Sequence, residues 1–221
     1  MKLTLHIPFS SQIQKWRLDE AVAIWGKQRR KPDELIVTDF DTFTNKETFF
    51  SFARSRNIAL KQSTSDYIVY TDADIRPQSN LLEVVEEYLR ARPEVLMCMR
   101  YDLPKESNQP GIDYDKDFDK WARRGETHAA PGSLQVFSVD WLKKVGGFDE
   151  RYIGWGYFDC EILKRAAMDG WQTRWIEDKT AMLHVWHPAY AYRKGSEANN
   201  RYLYHENIKL IANEGKEWGK I

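Results

Sequence analysis

The chain has 221 residues, and its 33 Lys and Arg are matched by 33 Asp and Glu, so its formal charge at pH 7 is zero. That balance argues against a nucleic-acid or membrane-surface partner, which normally shows as an excess of cations. The length suits one substantial core, and no apolar run approaches the roughly 18 residues of a membrane helix.

In chain order, Leu3 to Ile7 reads as a buried strand stopped by Pro8, and Ile13 to Trp25 carries apolar residues at helical spacing. Glu34 to Thr38 is a second strand, and Glu47 to Leu60 is a second helix with Phe49, Phe52, Ala53 and Arg56 near one repeat. Tyr67 to Thr71 is a third strand. Asn80 then suits an N-cap for the amphipathic run Leu81 to Leu89, which Pro93 terminates, and Val95 to Met99 is a fourth strand. Alternating strands and helices predict an α/β fold with a mostly parallel central sheet and helices on both faces.

Tyr101 to Gly132 breaks this pattern with mixed charge and prolines, too long for an ordinary connection. It reads as a lid or binding loop, with disorder as the alternative. Leu134 to Val139 restores a strand, Asp140 to Val145 suits a short helix, and GGFDE from Gly146 marks a tight turn. Phe158 to Met168 reads as a helix closed by Gly170. Trp171 to Ile176 and Ala181 to Trp186 read as late strands, and Glu197 to Ala212 as a terminal helix.

The two cysteines, Cys98 and Cys160, form neither a disulfide framework nor a C-x-x-C pattern, which fits a reducing cytoplasm. The opening MKLTLHIPFS is too short and too polar for a signal peptide, so a soluble cytoplasmic protein is expected, with peripheral membrane attachment left open. Lys120, Trp121, Arg123 and Arg124 in the long loop either touch a polyanion or cover the core.

D-x-D pairs occur at Asp39 with Asp41, at Asp72 with Asp74, and in the series Asp113, Asp115, Asp117 and Asp119. Ligands of open parallel sheets bind at the carboxyl ends of strands. Only Asp39 and Asp72 follow an apolar strand. Asp72 and Asp74 therefore form either a divalent-cation and sugar site or a polar turn closed by Pro77.

The segment ARSRNIALKQSTSDYIVYTDADIRP, from Ala53, resembles the stretch that family-two-like glycosyltransferases carry before their metal-binding aspartates. GGFDERYIGWGYFDCEILKR, Gly146 to Arg165, resembles the carboxy-terminal region of β-1,4-galactosyltransferases and polypeptide galactosaminyltransferases. With LHVWHP after the last strand, these pieces span nearly the whole chain in the family's order. The resemblance implies a single GT-A (Rossmann-like) domain over 1–221. Its nucleotide-sugar half is 1–100, the long loop 101–132, and the acceptor and catalytic half 133–221.

It implies an inverting, Mn²⁺- or Mg²⁺-dependent transfer from a UDP-linked hexose or N-acetylhexosamine to a hydroxyl acceptor, chiefly a glycan. Nucleic acid is a minority acceptor. Asp74 would be the direct metal ligand, with Asp72 on ribose or donor sugar or sharing the metal, and Ala73 between them at the donor. His184 is preferred to His187 as the further ligand. Asp159 would be the base, the alternative being an ordinary N-cap. Trp155, Gly156 and Tyr157 would meet the acceptor, although Trp155 is equally compatible with the core. Pro8 and Phe9 would lie near the base, Asp39 would bond uracil, and Arg56 and Asn57 would complete that pocket.

Two departures stand out. Ser10 and Gln12 replace the arginines of the galactosyltransferase opening, and Phe158 replaces the glutamate of the family's acidic pair. The second departure leaves open a degenerate sugar-binding module. A sugar-nucleotide nucleotidyltransferase would need a glycine-rich basic loop after the first strand, and SSQIQKWR contains no glycine.

Overall fold

The computed structural model describes residues 1–10, 15–40, 51–154, 156–188 and 196–220. Its strands are β1 (Leu3–Phe9), β2 (Glu34–Asp39), β3 (Tyr67–Thr71), β4 (Ile75–Pro77), β5 (Val95–Met97), β6 (Arg100–Asp102), β7 (Glu126–His128), β8 (Leu134–Ser138), β9 (Thr173–Trp175) and β10 (Met182–His184). Its helices are α1 (Lys15–Gly26), α2 (Phe52–Gln62), α3 (Leu81–Ala91), α4 (Phe118–Ala122), α5 (Val139–Lys144), α6 (Phe158–Met168) and α7 (Glu197–Glu206).

Six strands form the central sheet in the order β2-β1-β3-β8-β5-β9. β1 runs parallel to β2 and β3, and β5 to β9, whereas β8 is antiparallel to both neighbours. The mostly parallel sheet is thus present, with one reversed strand in its middle. Side-chain alternation divides the core between its faces. Val69 and Val136 point to the side of α1 and α3, where Trp25, Leu82, Val85 and Leu89 pack. Ile68, Tyr70 and Phe137 point to the side of α2, α5, α6 and α7, against Leu60, Trp141, Ile162 and Leu203.

A second sheet of four short strands, β4-β10-β6-β7, stands beside the first. Three of its strands, β4, β6 and β7, have no counterpart in the sequence reading. The expected loop 101–132 is largely an ordered cap on this sheet. Leu103, Tyr114, Phe118 and Trp121 form a small core with Leu183 and Val185 of the β10 segment. Trp121 therefore covers core, the second of its two readings.

Some ends differ from expectation for local reasons. Asn80 precedes α3 but makes no capping bond, because its side chain donates to the Lys179 carbonyl (3.0 Å) and accepts from Thr180 Oγ1 (3.0 Å). The first part of the expected helix 47–60 lies outside the described residues, and α2 begins after Ser51, whose Oγ accepts from the Arg54 amide (3.2 Å). α7 stops at Glu206 rather than Ala212, since the following chain returns to bond the Val145 carbonyl through the Ala212 amide (2.9 Å). In the GGFDE turn, Gly146 and Gly147 have φ of 77° and 67°, the left-handed region where a side chain is strained. No helix among the described residues is long and apolar enough to cross a membrane.

Candidate functional site

The D-x-D segment is the joint between the two sheets. β3 ends at Thr71, the Ile75 amide donates to the Asp72 carbonyl (3.2 Å), and β4 then begins the small sheet. β10 pairs antiparallel with β4, with His184 opposite Ile75, and the Val185 amide donates to the Asp74 carbonyl (2.9 Å). This register brings the strand-end histidine beside the second aspartate.

His184 Nε2 lies 3.6 Å and His187 Nε2 3.1 Å from Asp74 Oδ2. The imidazole rings stand nearly perpendicular, at 88°, with centroids 5.2 Å apart. One ligand atom from each of the three side chains lies within 4.8 Å of the others, as a shared ion requires. One carboxylate and two imidazoles are a donor set suited to Mn²⁺-class cations. Both histidines, the preferred His184 and His187, therefore stand beside Asp74. Asp72, expected to share the metal, stands outside this group of donors.

The small sheet also supplies a residue that the sequence reading missed. β6 pairs parallel with β10, with Asp102 opposite His184. Asp102 Oδ1 lies 2.8 Å from His184 Nδ1 and 2.7 Å from Arg100 Nε. A lone aspartate at the end of a three-residue strand carries no sequence signal of its own.

These carboxylates titrate differently for physical reasons. Burial, reinforced by Asp74, raises Asp72 to about 6. Burial acts the same way on Asp74, but the neighbouring His184 and His187 outweigh it and hold Asp74 well below the usual carboxylate range. For His184, burial opposes the charge, yet Asp74 and Asp102 prevail and raise it to about 9.

Asp72, Ala73, Asp74, His184 and His187 line a cleft of about 440 Å³ together with Pro8, Arg56, Gly156, Tyr157, Phe158 and Asp159. The opposite wall is His128 to Ser133, the end of the long segment. Asp159 lies in the first turn of α6, its Oδ1 accepting from the Cys160 amide (3.0 Å). It is not the N-cap: that position is Tyr157, whose φ of 68° is left-handed. Gly132 faces the Asp159 carboxylate so closely that a Cβ there would stand 2.6 Å from Oδ2.

Arg56 lies in the floor of this cleft. It is buried, donates to Gln135 Oε1 (2.5 Å) and the Gly132 carbonyl (2.9 Å), and packs its guanidinium 4.9 Å from the Phe158 ring centroid. Gln135 Nε2 in turn donates to the Asp159 carbonyl (2.8 Å). In the sequence Gln135 is a single polar residue between Leu134 and Val136, which gives no sign of this link. Phe158 stacks on Phe52 at 5.7 Å, so the residue replacing the family's glutamate packs mainly into the core.

Asn57 does not line the cleft of described residues. Its amide donates to the Phe148 carbonyl (2.8 Å) and accepts from the Phe148 amide (2.8 Å), which ties α2 to the glycine turn. Phe9 and Asp39 are paired across β1 and β2 and do not line the cleft of described residues. Trp155 lies outside the described residues. The chain around it is held by Asn200 of α7, another residue the sequence did not single out, which donates to the Ile153 (2.8 Å) and Gly156 (3.2 Å) carbonyls. Glu161 points away from the cleft and is buried 3.5 Å from Arg165.

The family model for glycosyl transferase family 2 matches residues 28–146. That for the N-terminal domain of galactosyltransferase matches 113–188. No curated protein sequence matches the chain. Among solved structures it is similar to a mutant of Drosophila β-1,4-galactosyltransferase 7 in complex with manganese, UDP-Gal and xylobiose. That likeness has 18% identity and a TM-score of 0.56, covering 89% of this chain and 74% of that one. It is also similar to S. aureus TarS in complex with UDP-GlcNAc, at 12% identity and a TM-score of 0.60, covering 88% of this chain and 61% of that one. At these identities the likeness is one of fold, the GT-A architecture.

Proposed function

The chain belongs to glycosyl transferase family 2, and from that premise we propose a metal-dependent, inverting transfer of a sugar from a UDP-sugar to a hydroxyl of a glycan. The observation that carries this reading is the convergence of His184 and His187 on Asp74 in the same cleft as Asp159. The ligands named for the structural neighbours, UDP-Gal with manganese and UDP-GlcNAc, support a UDP-linked hexose or N-acetylhexosamine as donor. The xylobiose named with the first of them supports a glycan acceptor.

In this reading the donor lies over residues 1–100, and Asp74, His184 and His187 would hold the cation. A bound Mn²⁺ or Mg²⁺ would stabilise the charge on the departing diphosphate. Asp72 and Ala73 meet the ribose or donor sugar. The acceptor lies between the Ala129 to Ser133 wall and Gly156 and Tyr157. Its hydroxyl oxygen attacks the anomeric carbon as the bond to the UDP oxygen breaks, and Asp159 takes the hydroxyl proton. One displacement inverts the anomeric centre.

Gly132 opposite Asp159 leaves the carboxylate open to the acceptor, since any Cβ would meet it. Arg56 and Gln135 fix the backbone on both sides of that contact.

Calorimetric titration with UDP and Mn²⁺, with and without chelator, tests the donor site. Binding that needs the metal and disappears in Asp74→Ala supports it, and binding indifferent to chelator overturns it. Product analysis by NMR tests inversion: a product of the donor's own anomeric configuration would exclude a single displacement.

A further inference from the structure

The two histidines of the metal cluster are held by the same device. Each presents Nε2 to Asp74 Oδ2 and Nδ1 to an oxygen acceptor. For His187 the acceptor is the adjacent Pro188 carbonyl at 2.9 Å. For His184 it is the Asp102 carboxylate at 2.8 Å, from another strand.

A neutral imidazole has one N–H and one lone pair. An acceptor at Nδ1 keeps the hydrogen there and leaves the lone pair on Nε2, the atom nearest Asp74. We infer that Asp102 is a positioning residue of the metal centre, orienting His184 so that Nε2 faces the cation; this rests on the metal-dependent reading above.

The carboxylate is itself fixed from several sides. Arg100 Nε lies 2.7 Å from Oδ1 and His128 Nδ1 3.6 Å from Oδ2. The Leu103 amide donates to the His184 carbonyl (3.0 Å), locking the backbone of the two residues together. Asp102, Arg100, His128 and His184 all belong to the small sheet, and β7 places His128 opposite Arg100. That sheet thus carries both a ligand and the group that aims it. Outer partners of this kind typically contribute about 10- to 100-fold to metal affinity.

The test uses Mn²⁺ alone as probe, titrated into the full chain and read by the spin-resonance signal of free ion. Wild type is expected to bind, with spin-echo modulation from two imidazole nitrogens. Asp102→Ala is expected to bind about 10- to 100-fold more weakly, with one imidazole lost from the modulation. Asp102→Asn, whose amide oxygen can still accept from Nδ1, is expected to keep both imidazoles and most of the affinity. It carries the test if the alanine variant does not fold.

Equal affinity and two imidazoles in Asp102→Ala, or loss of an imidazole in Asp102→Asn, overturns the positioning role. Failure of the wild type to bind Mn²⁺, with or without UDP, overturns instead the metal reading on which that role rests. Melting temperatures measured in chelator separate aim from stability: a variant that melts with the wild type yet binds weakly has lost orientation.

Discussion

Gly132 and Asp159 meet across the cleft with room for a hydrogen but not for a methyl group, the hypothetical Cβ standing 2.6 Å from Oδ2 and 3.4 Å from Cγ. Gly132→Ala is therefore expected to turn the carboxylate aside while leaving the donor side of the cleft intact. A displacement near 1 Å at a reacting group can cost about 10²-fold in rate. Transfer should fall by about that factor with UDP affinity little changed, as comparison of kcat with UDP titration will show. An unchanged kcat would mean that Asp159 has no need of that position.

Asp159→Asn keeps the size of the side chain and removes its ability to take a proton. Loss of a general base costs about 10²- to 10⁴-fold. A kcat reduced within that range, with metal-dependent UDP binding preserved, identifies the base. If Gly132→Ala costs nothing further in the Asp159→Asn background, the two residues act through the same carboxylate.

Arg56→Leu removes the donor shared by Gln135 and the Gly132 carbonyl, leaving buried acceptors without partners. Unsatisfied buried groups cost about 1 to 3 kcal/mol each, so for two acceptors a loss of about 2 to 6 kcal/mol is expected in urea unfolding. Because Gln135 also holds the Asp159 carbonyl, kcat should drop more than UDP affinity does.

Metal binding should be pH-dependent with a definite sign. Burial opposes the charged form of His184, but Asp74 and Asp102 overcome this and raise it to about 9, whereas a cation binds the neutral imidazole. Below that value each bound ion must displace a proton. Mn²⁺ affinity is thus expected to climb by up to about tenfold per pH unit through neutrality and to level off near 9.

Without metal, the same shift acts on stability in the other direction. A raised pKa contributes stability that is fully present below the ordinary histidine value, about 6.5, and is lost as the pH rises through the folded one. Melting in chelator should accordingly show the His184 contribution shrinking from about 6.5 towards 9. A metal affinity flat across this window would contradict the charged, paired state of His184.

What could be read in the sequence was set by length and repetition. α3 announces itself because Leu81, Leu82, Val84, Val85 and Leu89 recur on one face over three turns. β3 does so through five residues ending at a polar turn. The strands β4, β6 and β7 have three residues each, too few for any period, and their pairing is decided by contacts distant in sequence. The same limit governs the site. Asp72, Asp74, Asp159 and the two histidines stood at recognisable ends of elements. Asp102, Gln135 and Asn200 act through strand register or a side-chain bond to remote backbone, which no local spacing records. Asn57 was expected beside Arg56 in the pocket, but one step along a helix turns a side chain by about 100°, and here that step separates the cleft floor from the glycine turn.

Tyr157 carries a consequence of a different kind. At φ 68° a residue with a side chain costs of order 1 to 3 kcal/mol that glycine would not, yet its ring forms part of the cleft and rests 5.2 Å from Tyr204. Replacing it with glycine would relax the backbone and widen the cleft together. Enlarging a binding site usually weakens the protein around it, and new activities then need compensating changes elsewhere. Here room in the cleft and ease of the chain lie in the same direction, set against the packing the ring would give up on Tyr204 and His205.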